Sequence, residues 1–173
     1  MIAKRISHRG VASLGQFSEL GLRILTNASP QTEIHRVLIT NCHSSDPTWA
    51  VKEIEATQAL ARPGRANKSY YLVVSFRQNE RPDALQLHEI EDVLLSAIGL
   101  ADHQRMSALH DDGQRLCLHI AVSRVHAATL RTIAPAFDQR RLMAACAELE
   151  ARIGLIPDHY SNIVSVHPRG ATS

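Results

Sequence analysis

The segment "SALHDDGQRLCLHIAVS", residues 107–123, predicts the central hairpin of this chain. Two alternating apolar runs flank an Asp-Gly pair, a sequence that is typical of a tight turn between two strands. We place Asp112 and Gly113 at the centre of that turn, so that His110 pairs with Arg115 across it. A connection this short requires the two strands to be antiparallel. The buried face of the second strand is then expected to carry Leu116, Leu118, Ile120 and Val122.

Helices and strands alternate along the rest of the chain. Helical periodicity is present in "GQFSELGLRILTN", "SSDPTWAVKEIEATQALA", "RPDALQLHEIEDVLLSAIGL" and "FDQRRLMAACAELEARIGL". Asp46, followed by Pro47, and Asp83 are the expected first residues of two of these helices. The segments "HRVLITNC" and "YYLVVSF" are typical of strands. We therefore expect an α+β fold, an antiparallel or mixed sheet with helices mostly on one face.

Composition bounds the class of protein. The chain has 173 residues, 45% of them hydrophobic, as expected of one globular domain. Its formal net charge of +2 does not by itself indicate a nucleic-acid-binding protein. No apolar run is long enough to cross a membrane, and three scattered cysteines do not make a disulfide framework, so we expect a cytoplasmic protein. Basic residues gather in "MIAKRISHRG", "ARPGRANK" and "LRTIAPAFDQRR". They indicate either a phosphate-facing surface or ordinary solvated loops.

The second face of the hairpin carries side chains that bind metals. Cys117 and His119 lie two residues apart on one strand, and His110 is diagonal to Cys117 in our pairing, at roughly 7–8 Å. Imidazole and thiolate suit Zn²⁺ better than Mg²⁺ or Mn²⁺. Asp112 could orient a ligating imidazole through its second ring nitrogen. The alternative is that a chain with ten histidines places two here by chance and that Cys117 is a small core residue.

These residues resemble a motif of a known family. His110, Asp112 and "LCLHIAVSRVH" resemble the third motif of TraI-like relaxases of the plasmid-mobilisation class, which are His-hydrophobic-His (HUH) endonucleases. The resemblance extends, in order and spacing, to "MIAKRI", "FSEL", "VLITNC", "EIEATQ", "KSYYLVVSFRQNERPDA", "IEDVL", "GLADHQRMSALHDD" and "LEARIGL". It covers roughly residues 1–160, which we take as one domain, followed by a frayed tail at 161–173.

The resemblance implies a fold and a chemistry. The fold is a five-stranded antiparallel sheet flanked by helices. In such relaxases a tyrosine near the N-terminus attacks a phosphodiester at the origin of transfer (oriT) and forms a covalent phosphotyrosine, while a divalent metal held by three histidines polarises the phosphate. Single-stranded DNA would lie in a basic groove across the sheet. The resemblance adds Ser75 to Asp112 as a catalytic candidate, and we expect DNA contacts from Lys4, Arg5, Arg23 and Arg77.

The chain departs from the family at three positions. Arg23 stands where the family has its nucleophilic tyrosine, and a permanently protonated guanidinium is not a nucleophile. Cys117 replaces the central histidine ligand, and Ser123 replaces the usual asparagine. The alternative nucleophiles are Tyr70, Tyr71 and Tyr160.

Three functions remain open from the sequence. The first is a relaxase-family domain of a conjugative or mobile element that is impaired in nicking and retains DNA or partner binding. The second is an active nickase with an unusual nucleophile and a His₂Cys metal, His110, Cys117 and His119. The third is a protein-interaction module of a transfer or secretion apparatus.

Overall fold

The computed structural model describes residues 1–6, 16–26, 31–63 and 67–157. These parts form a five-stranded antiparallel sheet and four helices, so the predicted α+β fold is confirmed. The strands are β1 (Ile2–Arg5), β2 (Glu33–Thr40), β3 (Ser69–Ser75), β4 (Arg105–Asp111) and β5 (Leu116–Ser123). The helices are α1 (Phe17–Leu25), α2 (Pro47–Leu60), α3 (Ala84–Ala97) and α4 (Asp138–Ile153).

The hairpin of β4 and β5 lies at the middle of the sheet, whose strand order is β1-β3-β5-β4-β2. Its register differs from the prediction, because His110 pairs with Cys117 and not with Arg115. The connection is longer than a two-residue turn: an Asp112 carboxylate oxygen accepts hydrogen bonds from the backbone N–H groups of Gln114 and Arg115, at 3.0 and 2.6 Å. A shift of two residues leaves every side chain on its predicted face.

Helices cover both faces of the sheet. The face covered by α3 and α4 buries Leu116, Leu118, Ile120 and Val122, as predicted. The face covered by α1 and α2 buries Tyr71, Met106, Ala108 and Ala121. The expectation of helices mostly on one face is therefore wrong. The central strands carry apolar side chains on both faces, and each face needs its own cover to exclude water.

The predicted helix starts are confirmed. Asp46 precedes α2, and its carboxylate accepts a hydrogen bond from the backbone N–H of Trp49 at 3.0 Å. Asp83 precedes α3 and forms a reciprocal capping box with Gln86. Both carboxylates satisfy backbone N–H groups that have no partner within the helix, so these two residues fix where the helices begin.

No helix in the described ranges has the length and apolar character needed to span a membrane. The tail predicted at 161–173 lies outside the described residues, and the domain extent of 1–160 stays a prediction.

Candidate functional site

Four predicted site residues lie together on the α1–α2 face, beside the last turn of α1. One row of paired residues crosses all five strands there and consists of Ile2, Ser75, Cys117, His110 and Ile34. His119 lies in the next row. Cys117 and His119 are half-buried, whereas Ile2 is 46% exposed. Sheet alternation therefore places Ser75, Cys117 and His119 on one partly accessible face.

His110 and His119 form a stacked pair. Their ring centroids are 4.3 Å apart with an interplanar angle of 31°. His110 is buried beneath α1, where its Nε2–H donates to the carbonyl oxygen of Ile24 at 2.8 Å. This hydrogen bond anchors the last turn of α1 over the sheet and fixes the orientation of the His110 ring.

Tyr71 is the main partner of His119. Its hydroxyl lies 2.6 Å from His119 Nδ1, and the Tyr71 side chain is only 2% exposed. Burial raises the pKa of Tyr71, and the neighbouring Arg23 guanidinium acts in the opposite direction. Burial, followed by the charges of His110 and Arg23, lowers the pKa of His119 to about 4. Near pH 7 the pair is therefore a neutral phenol and a neutral imidazole.

The hydrogen bond between Tyr71 and His119 uses Nδ1 of the ring. When the Tyr71 hydroxyl donates in this bond, the neutral His119 ring carries its proton on Nε2, and that nitrogen is a donor. With Arg23 exposed on α1, the site presents donors and positive charge, which suit the oxygens of a phosphate group.

The three predicted ligands do not form a metal site as they are placed. In the part of the chain that the structure describes, no three histidine, cysteine, aspartate or glutamate side chains could hold one ion. The thiol of Cys117 lies 3.5 Å from the hydroxyl of Ser75. His110 and His119 each use one ring nitrogen for another partner, the carbonyl of Ile24 and the hydroxyl of Tyr71. The structure brings the donors onto one face but does not make them converge.

Asp112 and Arg77 lie around a neighbouring cavity. This cavity, of about 380 Å³, is lined by Ser75, Arg77, Asp112 and Arg115 among others. The Asp112 carboxylate is bonded to the backbone of its own loop, and these hydrogen bonds lower its pKa. The Arg77 guanidinium donates to the carbonyl of Pro157 at 2.8 Å. Asp112 therefore shapes the hairpin loop beside the cluster.

The two basic residues of β1 point to opposite faces. Lys4 pairs with Val73 and so shares the face of the cluster. Arg5 lies on the α3–α4 face, where it forms an ion pair with Asp138 at 3.1 Å and lies over the ring of Tyr70, 5.1 Å from its centroid. Of these two predicted DNA contacts, only Lys4 lies beside the cluster.

The sequence analysis named Tyr71 as an alternative nucleophile but did not predict its contact with His119. Tyr71 alternates with Val73 and Ser75 on β3, and Ser75 pairs with Cys117, so Tyr71 had to share their face. Tyr70 faces the other way and hydrogen-bonds Asp138 at 3.0 Å. Tyr160 lies outside the described residues. The partner of His110 carried no sequence signal, because it is a backbone carbonyl.

Comparison with known proteins identifies the family. A family model described as "Relaxase: MobA/VirD2-like, nuclease domain" matches residues 25–155, which is more than half of the chain. The chain belongs to this relaxase family. The TraI-like resemblance of its motifs is thereby confirmed.

Named relatives of this relaxase domain are much longer proteins. Two proteins of Escherichia coli, each named Protein TraI, are 37% and 36% identical to it, over 92% of this chain and 22% and 21% of their own lengths. Protein MobA of Acidithiobacillus ferrooxidans is 34% identical over 46% of this chain and 20% of its own length. The chain thus spans about a fifth of the length of these curated relatives. No solved structure matches it.

Proposed function

We propose that this relaxase-family domain binds single-stranded DNA of a conjugative or mobile element and is impaired in cutting it. The observation that carries the proposal is that Arg23 lies on α1 beside Tyr71, at the position where the resemblance implies the family's nucleophilic tyrosine. A guanidinium there offers only donors to phosphate oxygens and cannot form a phosphoester. The site is therefore suited to holding a phosphodiester and not to opening it.

The surroundings of Arg23 support phosphate binding. His119 binds the Tyr71 hydroxyl through Nδ1, and Lys4 lies on the same face. Val37 and Ile2, 39% and 46% exposed, provide apolar surface beside these donors for bases or sugars. Contacts of this kind bind the nucleic-acid backbone without reading its sequence.

Binding to oligothymidine over a range of salt concentrations tests the DNA-binding half of the proposal. We expect affinity to fall as salt rises, and Arg23→Gln to reduce the slope of log K against log salt by about 0.7, the value of one single-strand phosphate contact. The control is Arg141→Gln, an exposed arginine on α4 across the sheet. Absence of salt-dependent binding by the parent chain would favour the protein-interaction function.

A nicking assay tests the impaired-activity half. We expect no covalent protein–DNA band on a denaturing gel after incubation with a supercoiled plasmid that carries the cognate origin of transfer. A covalent band from the unmodified chain would contradict this half while leaving the binding result untouched.

A specific observation favours an active nickase as the second candidate. The Tyr71 hydroxyl shares a 2.6 Å hydrogen bond with a neutral imidazole, the arrangement of a nucleophile and its base. Its burial opposes this function, because phosphorus must come within about 3–3.5 Å of the attacking oxygen. A covalent band that Tyr71→Phe abolishes would establish this candidate.

Divalent metals are typical of relaxase nucleases, and we propose zinc as the preferred cation of this chain. A donor set of His110, Cys117 and His119 prefers zinc to magnesium or manganese. Convergence on one ion would require Cys117 to turn away from Ser75 and His119 to present Nε2 without its proton. Elemental analysis of protein purified without chelators should find zinc in the parent and less in Cys117→Ala. Equally low zinc in both would contradict the proposal.

We further propose that the domain acts in the cytoplasm with proteins of a transfer or secretion apparatus. Cys42 and Cys117 are free thiols, as a reducing compartment favours. Recovery of transfer proteins after in-cell crosslinking of the full-length protein would test the partnership.

A further inference from the structure

A second basic concavity lies at the other end of β3 from the histidine pair. It is a cavity of about 740 Å³ between the end of α2, the start of β3 and the loop after β5. Its lining consists of Leu60, Arg62, Lys68, Thr129, Leu130, Arg131 and Thr132. Three of these residues are cationic, two carry hydroxyls and none is acidic. The lining therefore matches an anion that also has apolar parts.

The walls of this cavity are held by a buried arginine. Arg124, only 7% exposed, donates from Nε to the carbonyl of Ile133 at 2.7 Å and from Nη1 to the carbonyl of Asn67 at 2.6 Å. Its backbone N–H also donates to the carbonyl of Lys68 at 2.7 Å. The loop after β5 and the segment before β3 are thus fastened to one side chain, so the concavity is pre-formed.

The loop that carries Thr129 to Thr132 is itself fixed in a costly conformation. His126 Nδ1 accepts hydrogen bonds from the backbone N–H groups of Ala128 and Thr129, at 3.2 and 3.3 Å. Leu130 has a φ of 54°, the left-handed region that a leucine rarely adopts. Such strain persists only where the surroundings impose it, and it is concentrated at binding sites.

Two of the three cations are uncommitted. Arg62 and Arg131 are exposed, and their side chains have no hydrogen-bond or ion-pair partner within the described ranges. Lys68 Nζ instead donates to the carbonyls of Gln58 and Ala61 at the end of α2. Lys68 therefore shapes the wall, and the two arginines are available to a ligand.

We propose that this cavity holds backbone phosphates of single-stranded DNA, as a binding site separate from the histidine cluster. The proposal rests on the proposed function, since it assumes that the domain binds single strands. β3 runs from one site to the other, and its seven residues place the two sites about 20 Å apart. A single extended strand can bridge that distance with several nucleotides. The arginines and threonines would hold phosphates, and the leucines would contact sugars or bases.

The test is the salt dependence of oligothymidine binding by Arg62→Ala with Arg131→Ala. We expect the slope of log K against log salt to fall by about 0.7 for each phosphate that the double variant no longer binds, and affinity at low salt to fall about tenfold. The matched control is Arg141→Ala with Arg152→Ala, which removes the same charge from the α3–α4 layer on the other face. Circular dichroism of both double variants checks that they are folded.

The outcomes separate this inference from the proposed function. If the parent chain bound oligothymidine and both double variants weakened this binding equally, the cavity site would be overturned and the proposal of single-strand binding would stand. If Arg62→Ala with Arg131→Ala weakened binding to a DNA duplex but not to oligothymidine, the assignment of the cavity to single strands would be overturned. No binding by the parent would overturn the proposed function, and this inference with it.

Discussion

His119 links the chemistry of the site to the stability of the fold. Its pKa is lowered to about 4, first by burial and then by the charges of His110 and Arg23, whereas an exposed histidine titrates near 6.5. Between these two values the unfolded chain binds more protons than the folded chain. Stability therefore falls as pH decreases through this window and is constant with respect to His119 above it.

We expect the free energy of unfolding to drop by about 3 kcal/mol from this residue between pH 7 and pH 4. Urea denaturation at a series of pH values measures the drop. The control is His119→Gln, which removes the titrating group and should flatten the profile in this window. An unchanged profile in the variant would show that other groups set the pH dependence.

Two substitutions separate the family chemistry from this chain. Arg23→Tyr alone should not restore nicking, because it supplies a phenol but leaves Cys117 where the resemblance implies the family's central histidine ligand. Arg23→Tyr with Cys117→His should restore a low level of nicking, since three histidines and a tyrosine then stand at the family positions. Plasmid relaxation with added Mn²⁺ measures both. Full activity from the single variant would mean that Cys117 does not limit the chemistry.

The sequence predicted the features of the site that follow from side-chain alternation along a strand. It did not predict those that follow from the packing of side chains between elements. Cys117 and His119 had to share a face, and a two-residue error in the register of His110 did not alter this. The 2.6 Å contact of Tyr71 with His119 depends on side-chain rotamers and on the position of α1, neither of which a sequence pattern specifies.

At the scale of the element, α1 is the part of the fold that positions the site. It carries Arg23 and the Ile24 carbonyl that binds His110, and it packs closely on α2 through Gly21. A Cβ atom at Gly21 would lie 2.8 Å from Val51 Cγ2, closer than such atoms approach. The absence of a side chain at Gly21 therefore permits the contact between these two helices.

Gly21→Val should push α1 away from α2 and from the sheet. We expect a loss of about 1–3 kcal/mol in unfolding free energy, as for overpacking elsewhere, together with weaker oligothymidine binding because Arg23 is displaced. Denaturant unfolding and anisotropy measure the two effects. Leu22→Val, on the exposed side of the same helix, is the control. It should change the free energies of unfolding and of oligothymidine binding by no more than about 0.5 kcal/mol each. A variant as stable as the parent would show that α2 yields at this contact.

The elements that the sequence predicted were those with local signals. Asp46 and Asp83 marked helix starts, aromatic and β-branched residues marked β3, and alternation marked β5. β1 is four residues long and has an exposed or half-buried side-chain pattern, so periodicity could not identify it; only the family resemblance implied a fifth strand. The placement of helices on both faces depends on chain connections that local patterns do not encode.

At the scale of the whole molecule, the two proposed phosphate sites stand at opposite ends of β3 and would act on one strand of DNA. A ligand that occupies both sites makes its second contact at a high effective concentration, so its affinity exceeds that for either site alone. A ligand too short to span about 20 Å gains nothing from the second site.

Affinity for oligothymidine should therefore increase with its length, and this increase should require both the site at Arg23 and His119 and the cavity at Arg62 and Arg131. We expect the parent chain to bind oligothymidine of about 16 nucleotides more than tenfold more tightly than that of about 4 nucleotides. Arg62→Ala with Arg131→Ala should shrink this gain several-fold, because the longer strand then has only the site at Arg23 and His119. The α4 pair, Arg141→Ala with Arg152→Ala, should keep the full gain, as it leaves both sites intact. Anisotropy titrations at one low salt concentration measure the affinities of all three proteins for both oligonucleotides. An equal increase in affinity with length in all three would mean that the longer strand follows another path, because bridging along β3 requires the cavity arginines.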